Sequence, residues 1–245
     1  MRTATGLAYL FAAPLMLAAY TANAAEYNGT LSYVNLVSSG FYAENDHPQE
    51  NGWEDSSVLT WLVSNEEAGA PSGYTWFYSY KITVADFAPV RWMIETGSGF
   101  NSSNIDLSSV KIYDSSSNLV AYDTANISFG NFSSSTTGLS SFPEERYGMF
   151  WAATGSGGND SHETTLTFWS NVAPEWGDLY ANCGGNGNRG WNSGFLTSTP
   201  LDAAASGSIQ NHVLTPGTVP EPASVLLIAL TGACGAIIRQ RKRKI

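Results

Sequence analysis

The chain reads as all-β, an antiparallel β-sandwich of jelly-roll type, and three observations predict that class. Residues 74–84 alternate with period two: Tyr74, Trp76, Tyr78, Tyr80, Ile82 and Val84 are apolar or aromatic, while Thr75, Ser79, Lys81 and Thr83 are polar. Successive side chains of a strand point to opposite faces, so this segment buries one face of a sheet; Phe77 alone breaks the pattern. Ser, Thr, Gly and Asn dominate the middle of the chain, aromatics reach 13 % and charged residues only 13 %, a composition suited to half-buried pleated strands. Turn clusters recur at 38–40, 69–73, 97–101, 114–118, 133–138 and 155–160, and no strand–helix alternation separates them.

From the amino end, the first element is a secretory signal peptide over residues 1–24. Arg2 and the free amine supply positive charge, residues 6–19 are apolar, and Ala22-Asn23-Ala24 is a small-x-small cleavage site. Cleavage there starts the mature chain at Ala25, with Glu26 as the alternative. Residues 25–202 then form one exported domain, long enough to bury a core. Its strands are expected at 31–37, 57–63, 74–84, 89–95, 110–113, 119–122, 127–132, 146–153 and 163–170. Residues 203–218, rich in small side chains and proline, are expected to be a linker.

The last element is a three-part tail over residues 219–245. Val219, Pro220, Glu221 and Pro222 lead into an uncharged apolar run, 223–238, which predicts a transmembrane helix. At about 1.5 Å per residue it spans roughly 24 Å, short of a ~30 Å hydrocarbon core, so it suits temporary anchoring in membrane lipid. Arg239, Arg241, Lys242, Arg243 and Lys244 resist translocation and form a cytoplasmic stop. Pro220 and Pro222 fix their own φ and bias the residues before them away from helix, so the segment around Glu221 is extended and can be threaded by a processing enzyme.

Val219-Pro220-Glu221-Pro222-Ala223-Ser224, the apolar stretch and the basic cluster, in that order, resemble the PEP-CTERM sorting signal of Gram-negative bacteria. The resemblance covers about a tenth of the chain. It implies recognition by an exosortase, a membrane transpeptidase that cuts near the motif, and export linked to extracellular polysaccharide. In that family the catalytic residues belong to the exosortase, so the tail is a substrate. Residues 167–181 also resemble a stretch near the end of other proteins with this tail, where a strand is followed by Ala-Pro-x-Trp-Gly-Asp-Phe-Tyr; Leu179 stands here in place of Phe. In this stretch Pro174 is expected to stop a strand, Trp176 and Tyr180 to cover the open end of the sandwich, and Asp178 to cap a turn through backbone N–H groups.

Charge and cysteine usage narrow the function. Setting aside Arg2, the five tail bases and Glu221 leaves five Lys/Arg against twenty Asp/Glu, a balance of −15 on the exported part. That disfavours nucleic acid and anionic lipid and suits neutral glycans, divalent cations or simple solubility. Cys183 is expected outside the membrane and Cys234 within the apolar tail in the bilayer, so no internal disulfide and no cysteine zinc site is expected.

The candidate chemistry is sparse. The adjacent carboxylates Glu54-Asp55, Glu66-Glu67 and Glu144-Glu145 would point to opposite faces of a strand, which argues against joint catalysis. His47, His162 and His212 lie far apart in polar surroundings and read as solvated loop residues, with no metal-ligand or triad spacing. Hence no catalytic residue, no metal ligand and no cofactor is assigned. A structural calcium stays open at Asn45, Asp46, Glu50, Glu54 and Asp55 and at 157–160. Trp53 and Trp191, in turn-rich surroundings, are the candidate exposed platforms for stacking on sugar rings, while Trp61, Trp76, Trp92, Trp151 and Trp169 read as core.

The expectation is a non-enzymatic protein carried by the general secretion machinery and signal peptidase and held transiently at the inner membrane. An exosortase then sorts it to the cell surface or extracellular matrix, where it is structural or binds extracellular polysaccharide. A polysaccharide-active hydrolase is the alternative.

Overall fold

A computed structural model describes residues 24–34, 40–44, 53, 56–85, 89–119, 126–137, 142–152, 162–183 and 188–217. Within them the protein is all-β, with thirteen strands and every strand pairing antiparallel. Among the described residues, regular helix is limited to α1 (Ser134–Thr137) and a 3-10 turn (Ser193–Leu196).

One sheet has five strands in the order β1 (Glu26–Ser32), β3 (Val58–Ser64), β4 (Trp76–Thr83), β9 (Glu163–Ser170) and β6 (Ile105–Asp114). The second has six: β2 (Phe41–Glu44), β12 (Arg189–Asn192), β11 (Leu179–Asn182), β5 (Arg91–Glu95), β8 (Arg146–Ala152) and β7 (Ile127–Phe132). A two-stranded ribbon pairs β10 (Pro174–Gly177) with β13 (Val213–Pro216).

Alternation explains the five-stranded sheet. In β4, Tyr78, Tyr80 and Ile82 are fully buried, while Ser79, Lys81 and Thr83 are only half-buried. Their neighbours Leu59, Trp61 and Val63 of β3 and Leu166 and Phe168 of β9 extend the same apolar face, and Phe168 stacks on Tyr78 with ring centroids 5.1 Å apart. The two buried tyrosines keep their hydroxyls satisfied by donating to Val172 O and Leu214 O, each at 2.8 Å. Burial pushes both phenols well above their ordinary range. In β1, Gly29 is required because a Cβ there would come within 2.0 Å of the Trp61 ring.

The central strands of the six-stranded sheet, β5, β11 and β12, are buried on both faces. Trp92 and Ile94 of β5, Met149 and Trp151 of β8, and Leu179 and Ala181 of β11 join the main cluster, which also takes Trp176, Val213 and Leu214 from the ribbon. On the other face, Met93, Tyr180 and Trp191 form a second cluster with Phe132, Phe142 and Phe195. The pairs Met93–Phe150, Tyr180–Met93 and Tyr180–Trp191 lie directly opposite one another in the ladder, so this second face is one continuous aromatic row.

Three expectations are corrected here. The folded unit does not stop at residue 202: β13 is fully buried and pairs with β10, so 213–216 belong to the core and not to a linker. Residues 203–211 carry no strand but are tied down, with Trp176 Nε1 donating to Ala203 O and Gly207 N to Asn28 O. The first strand runs over Glu26–Ser32, five residues ahead of its expected start. Strand β9 ends at Ser170, before Pro174, and Pro174 itself opens β10. Residues 1–23 and 218–245, with most of the signal peptide, the sorting motif, the apolar run 223–238 and the basic stop, lie outside the described residues. Among those described, no helix is long and apolar enough to cross a membrane.

Candidate functional site

Period-two geometry also builds the site. Glu95 follows Met93 on the second face of β5, and in the paired strand Arg146 precedes Gly148 and Phe150 on that same face. Asp178 stands two residues before Tyr180, at the point where the chain leaves the ribbon and enters the six-stranded sheet. So Glu95, Arg146 and Asp178 prolong the aromatic row at one end, and Asn192, Thr197 and His212 close over them.

Asp178 is fully buried. Its Oδ1 accepts from His212 Nδ1 at 2.9 Å and from Asn192 Nδ2 at 2.5 Å. Because that carboxylate oxygen can only accept, the hydrogen of the pair sits on Nδ1. The Asn192 amide is used in full: its Oδ1 accepts from Leu179 N at 2.7 Å, and Nδ2 also donates to Asn211 O at 2.8 Å. On the far side of the imidazole, Nε2 faces Thr197 Oγ1 at 3.1 Å, while the Thr197 hydroxyl donates to Gly194 O at 2.9 Å as the cap of the 3-10 turn. The Asp–His–Thr chain has the connectivity of a nucleophile relay, but its terminal hydroxyl is committed to a backbone carbonyl.

Arg146 links this network to the surface. Its Nε lies 3.7 Å from both Glu95 Oε1 and Asp178 Oδ2, and its Nη2 reaches Glu144 Oε2 at 2.9 Å and Phe195 O at 2.6 Å. The guanidinium carbon sits 5.2 Å from the Phe195 ring centroid. Burial first, and then the charge and hydrogen bonding of Asp178, push the Glu95 carboxyl from 4.5 up to about 8, with Arg146 pulling the other way. Glu95 Oε2 and Asp178 Oδ2 have no partner as long as both groups are ionised, since two carboxylates only accept. One proton held between the two carboxyls satisfies both. Gly177 lets the ribbon approach closely here: a Cβ there would meet Thr215 Oγ1 at 2.3 Å.

Above the network opens a pocket of about 370 Å³ lined by Glu95, Glu144, Arg146, Thr197, Ser198 and Thr199, with Leu196 at its edge. Its chemistry is mixed: three hydroxyls, two carboxyl groups, one guanidinium and one exposed leucine.

The residues expected from the sequence are placed elsewhere. Trp53 is 0 % exposed and Trp191 5 %, so neither is a surface platform; Trp191 packs against Tyr42 and stacks on Tyr180 within the second cluster. Turn-rich neighbours misled the reading, because β12 is only four residues long and buried on both faces. His212 is 0 % exposed rather than solvated, and Asp178 bonds side chains rather than capping backbone N–H groups. His162 is exposed and its Nδ1 contacts Ala85 O; His47 lies outside the described residues. Ala24 is exposed, and Ala25 N donates to Asn65 Oδ1 at 2.8 Å. Ala22 and the tail residues from Val219 to Lys244 lie outside the description. Among the described residues no three His, Cys, Asp or Glu side chains gather as a metal-ligand set, and the calcium candidates at 45–55 and 157–160 fall outside them. Cys183 is half-buried and forms no disulfide.

Comparison with known proteins finds no matching family model, no matching curated protein and no matching solved structure.

Proposed function

We propose that this is an exported protein of the cell envelope or extracellular matrix, with its C-terminal tail processed by an exosortase and its β domain turned toward matrix polysaccharide. The observation that carries the proposal is the three-part tail: the Pro-Glu-Pro motif at 220–222, an uncharged run, and five bases in the six positions from Arg239 to Lys244. The placement of β13 supports it. The last strand among the described residues ends at Pro216, Gly217 N donates to Ala173 O at 2.9 Å, and Val219 begins the motif two residues later. Removal of everything from the motif onward therefore leaves all thirteen strands intact.

In this reading the two large sheets pack face to face as a β-sandwich, supported by the single apolar cluster that draws on both. The role is non-catalytic, a matter of holding or binding. Mass spectrometry of surface copies tests the sorting: the mature protein starts at Ala25 and lacks Arg241, and a carboxyl end still reading through Arg241 in every surface copy overturns the proposal. Release of reducing sugar from the organism's own polysaccharide would overturn the non-catalytic role.

A further inference from the structure

We propose that the pocket above Glu95 and Arg146 seats an uncharged, hydroxyl-bearing unit of an extracellular glycan. The proposal rests on the polysaccharide-facing reading above and gives it a location, in place of the buried Trp53 and Trp191.

Size, lining and charge all bear on the ligand. About 370 Å³ lies toward the small end of the roughly 300–1,000 Å³ range of ligand pockets, enough for a sugar unit and little more. The hydroxyls of Ser198 and Thr199 both donate and accept, as sugar hydroxyls do, while that of Thr197 is held by Gly194 O and His212 Nε2. Arg146 lines the pocket as well, while its Nε is buried beneath it, 3.7 Å from Glu95 Oε1 and Asp178 Oδ2. The Glu144 carboxylate at the pocket wall is 56 % exposed and can accept from a sugar hydroxyl. Leu196 is 46 % exposed at the edge, a flat apolar contact for the C–H face of a ring.

An anionic ligand fits poorly. The Arg146 Nη2 is already engaged by Glu144 and by Phe195 O, so no bidentate fork is left for a phosphate or carboxylate. Glu144 beside it and the −15 balance of the exported part repel negative polymers. A divalent cation fits no better, because the guanidinium sits between the carboxyl groups.

The test is retention of the mature surface protein on purified polysaccharide from its own matrix, with dextran sulfate as an anionic competitor. Ser198 is exposed, so Ser198→Trp blocks the pocket without touching the buried network; an unchanged melting temperature confirms the fold. The expected result is a loss of affinity of about tenfold or more in Ser198→Trp, with a smaller loss in Thr199→Ala and no competition by dextran sulfate. Equal retention of wild type and Ser198→Trp overturns the site while leaving the glycan role standing. No retention of a correctly processed wild type overturns both the site and the glycan role but not the sorting. Cleavage of the polymer by wild type overturns binding in favour of hydrolysis.

Discussion

The five-stranded and six-stranded sheets draw on the same kinds of side chain but bury them differently. The first has a dry face and a half-wet face, so its strands spell out their orientation one residue at a time. The second carries buried side chains on both faces of its central strands, one set in the main apolar cluster and the other against Phe142 and Phe195, and it adds a buried polar network at one end. The first sheet is held by apolar packing, which is insensitive to proton concentration. The second adds a cluster of ionisable groups, and its stability is tied to their protonation.

Four measurements test that contrast. The largest effect is expected at Phe168→Ala, which removes a fully buried ring between Tyr78 and Tyr80 and costs about 4 kcal/mol in urea unfolding, the same at pH 5 and pH 8. Asp178→Ala follows at about 3 kcal/mol, because it leaves His212 and Asn192 without their shared acceptor and removes the carboxylate 3.7 Å from Arg146 Nε. At roughly 2–4 °C per kcal/mol for a domain of this size, that change is visible in a melting curve. A much smaller loss would make the network peripheral.

The third measurement is a pH profile. Folding lifts the Glu95 carboxyl from 4.5 to about 8, so across that interval the folded state holds a proton that the unfolded chain has released. Stability contributed by Glu95 is therefore full below about pH 4.5, declines as pH rises, and is gone above about 8. Glu95→Gln keeps a donor toward Asp178 without a titrating proton, so it flattens the decline; an unchanged slope would remove Glu95 from the account. The smallest effect is expected at Lys81→Ala, which breaks a partly exposed 3.2 Å ion pair with Glu163 in the five-stranded sheet and costs about 0.5 kcal/mol.

The same contrast explains how much was legible in the sequence. Strands β7 and β9 match their expected limits, and β3, β4, β5 and β8 fall within a residue or two of theirs, because period-two alternation or a long apolar run marks each one. Only the second half of β6 was legible. Its first half carries a register shift between Asp106 and Lys111, where Asp106 Oδ1 accepts from Ser108 N and Oγ at 3.0 and 2.7 Å, and such a segment reads as a turn. Strands β11 and β13 are four residues long and buried throughout, so no face is marked by polarity and the pattern carries no period.

The site was hidden for a related reason. Glu95 ends one strand, Arg146 begins another, Asp178 lies between two, and His212 stands one residue before β13. Each looks like an ordinary boundary residue, and only the ladder pairings β5–β8, β5–β11 and β10–β13 bring them together. The visible hints were a carboxylate between two aromatic residues, Trp176 and Tyr180, and a histidine directly ahead of Val213 and Leu214. Neither hint names its partner, because the contact between Asp178 and His212 spans 34 residues of chain.

The exit of the chain from the fold has a mechanical consequence. Strand β13 is paired with β10 along its whole length, and Leu214 O is also gripped by the Tyr80 hydroxyl from the centre of the other sheet. Tension applied beyond Gly217 along the strand axis loads those bonds in parallel, so they resist together rather than parting one after another. A protein tethered by its carboxyl end to a moving matrix would stretch its tether before it lost its last strand.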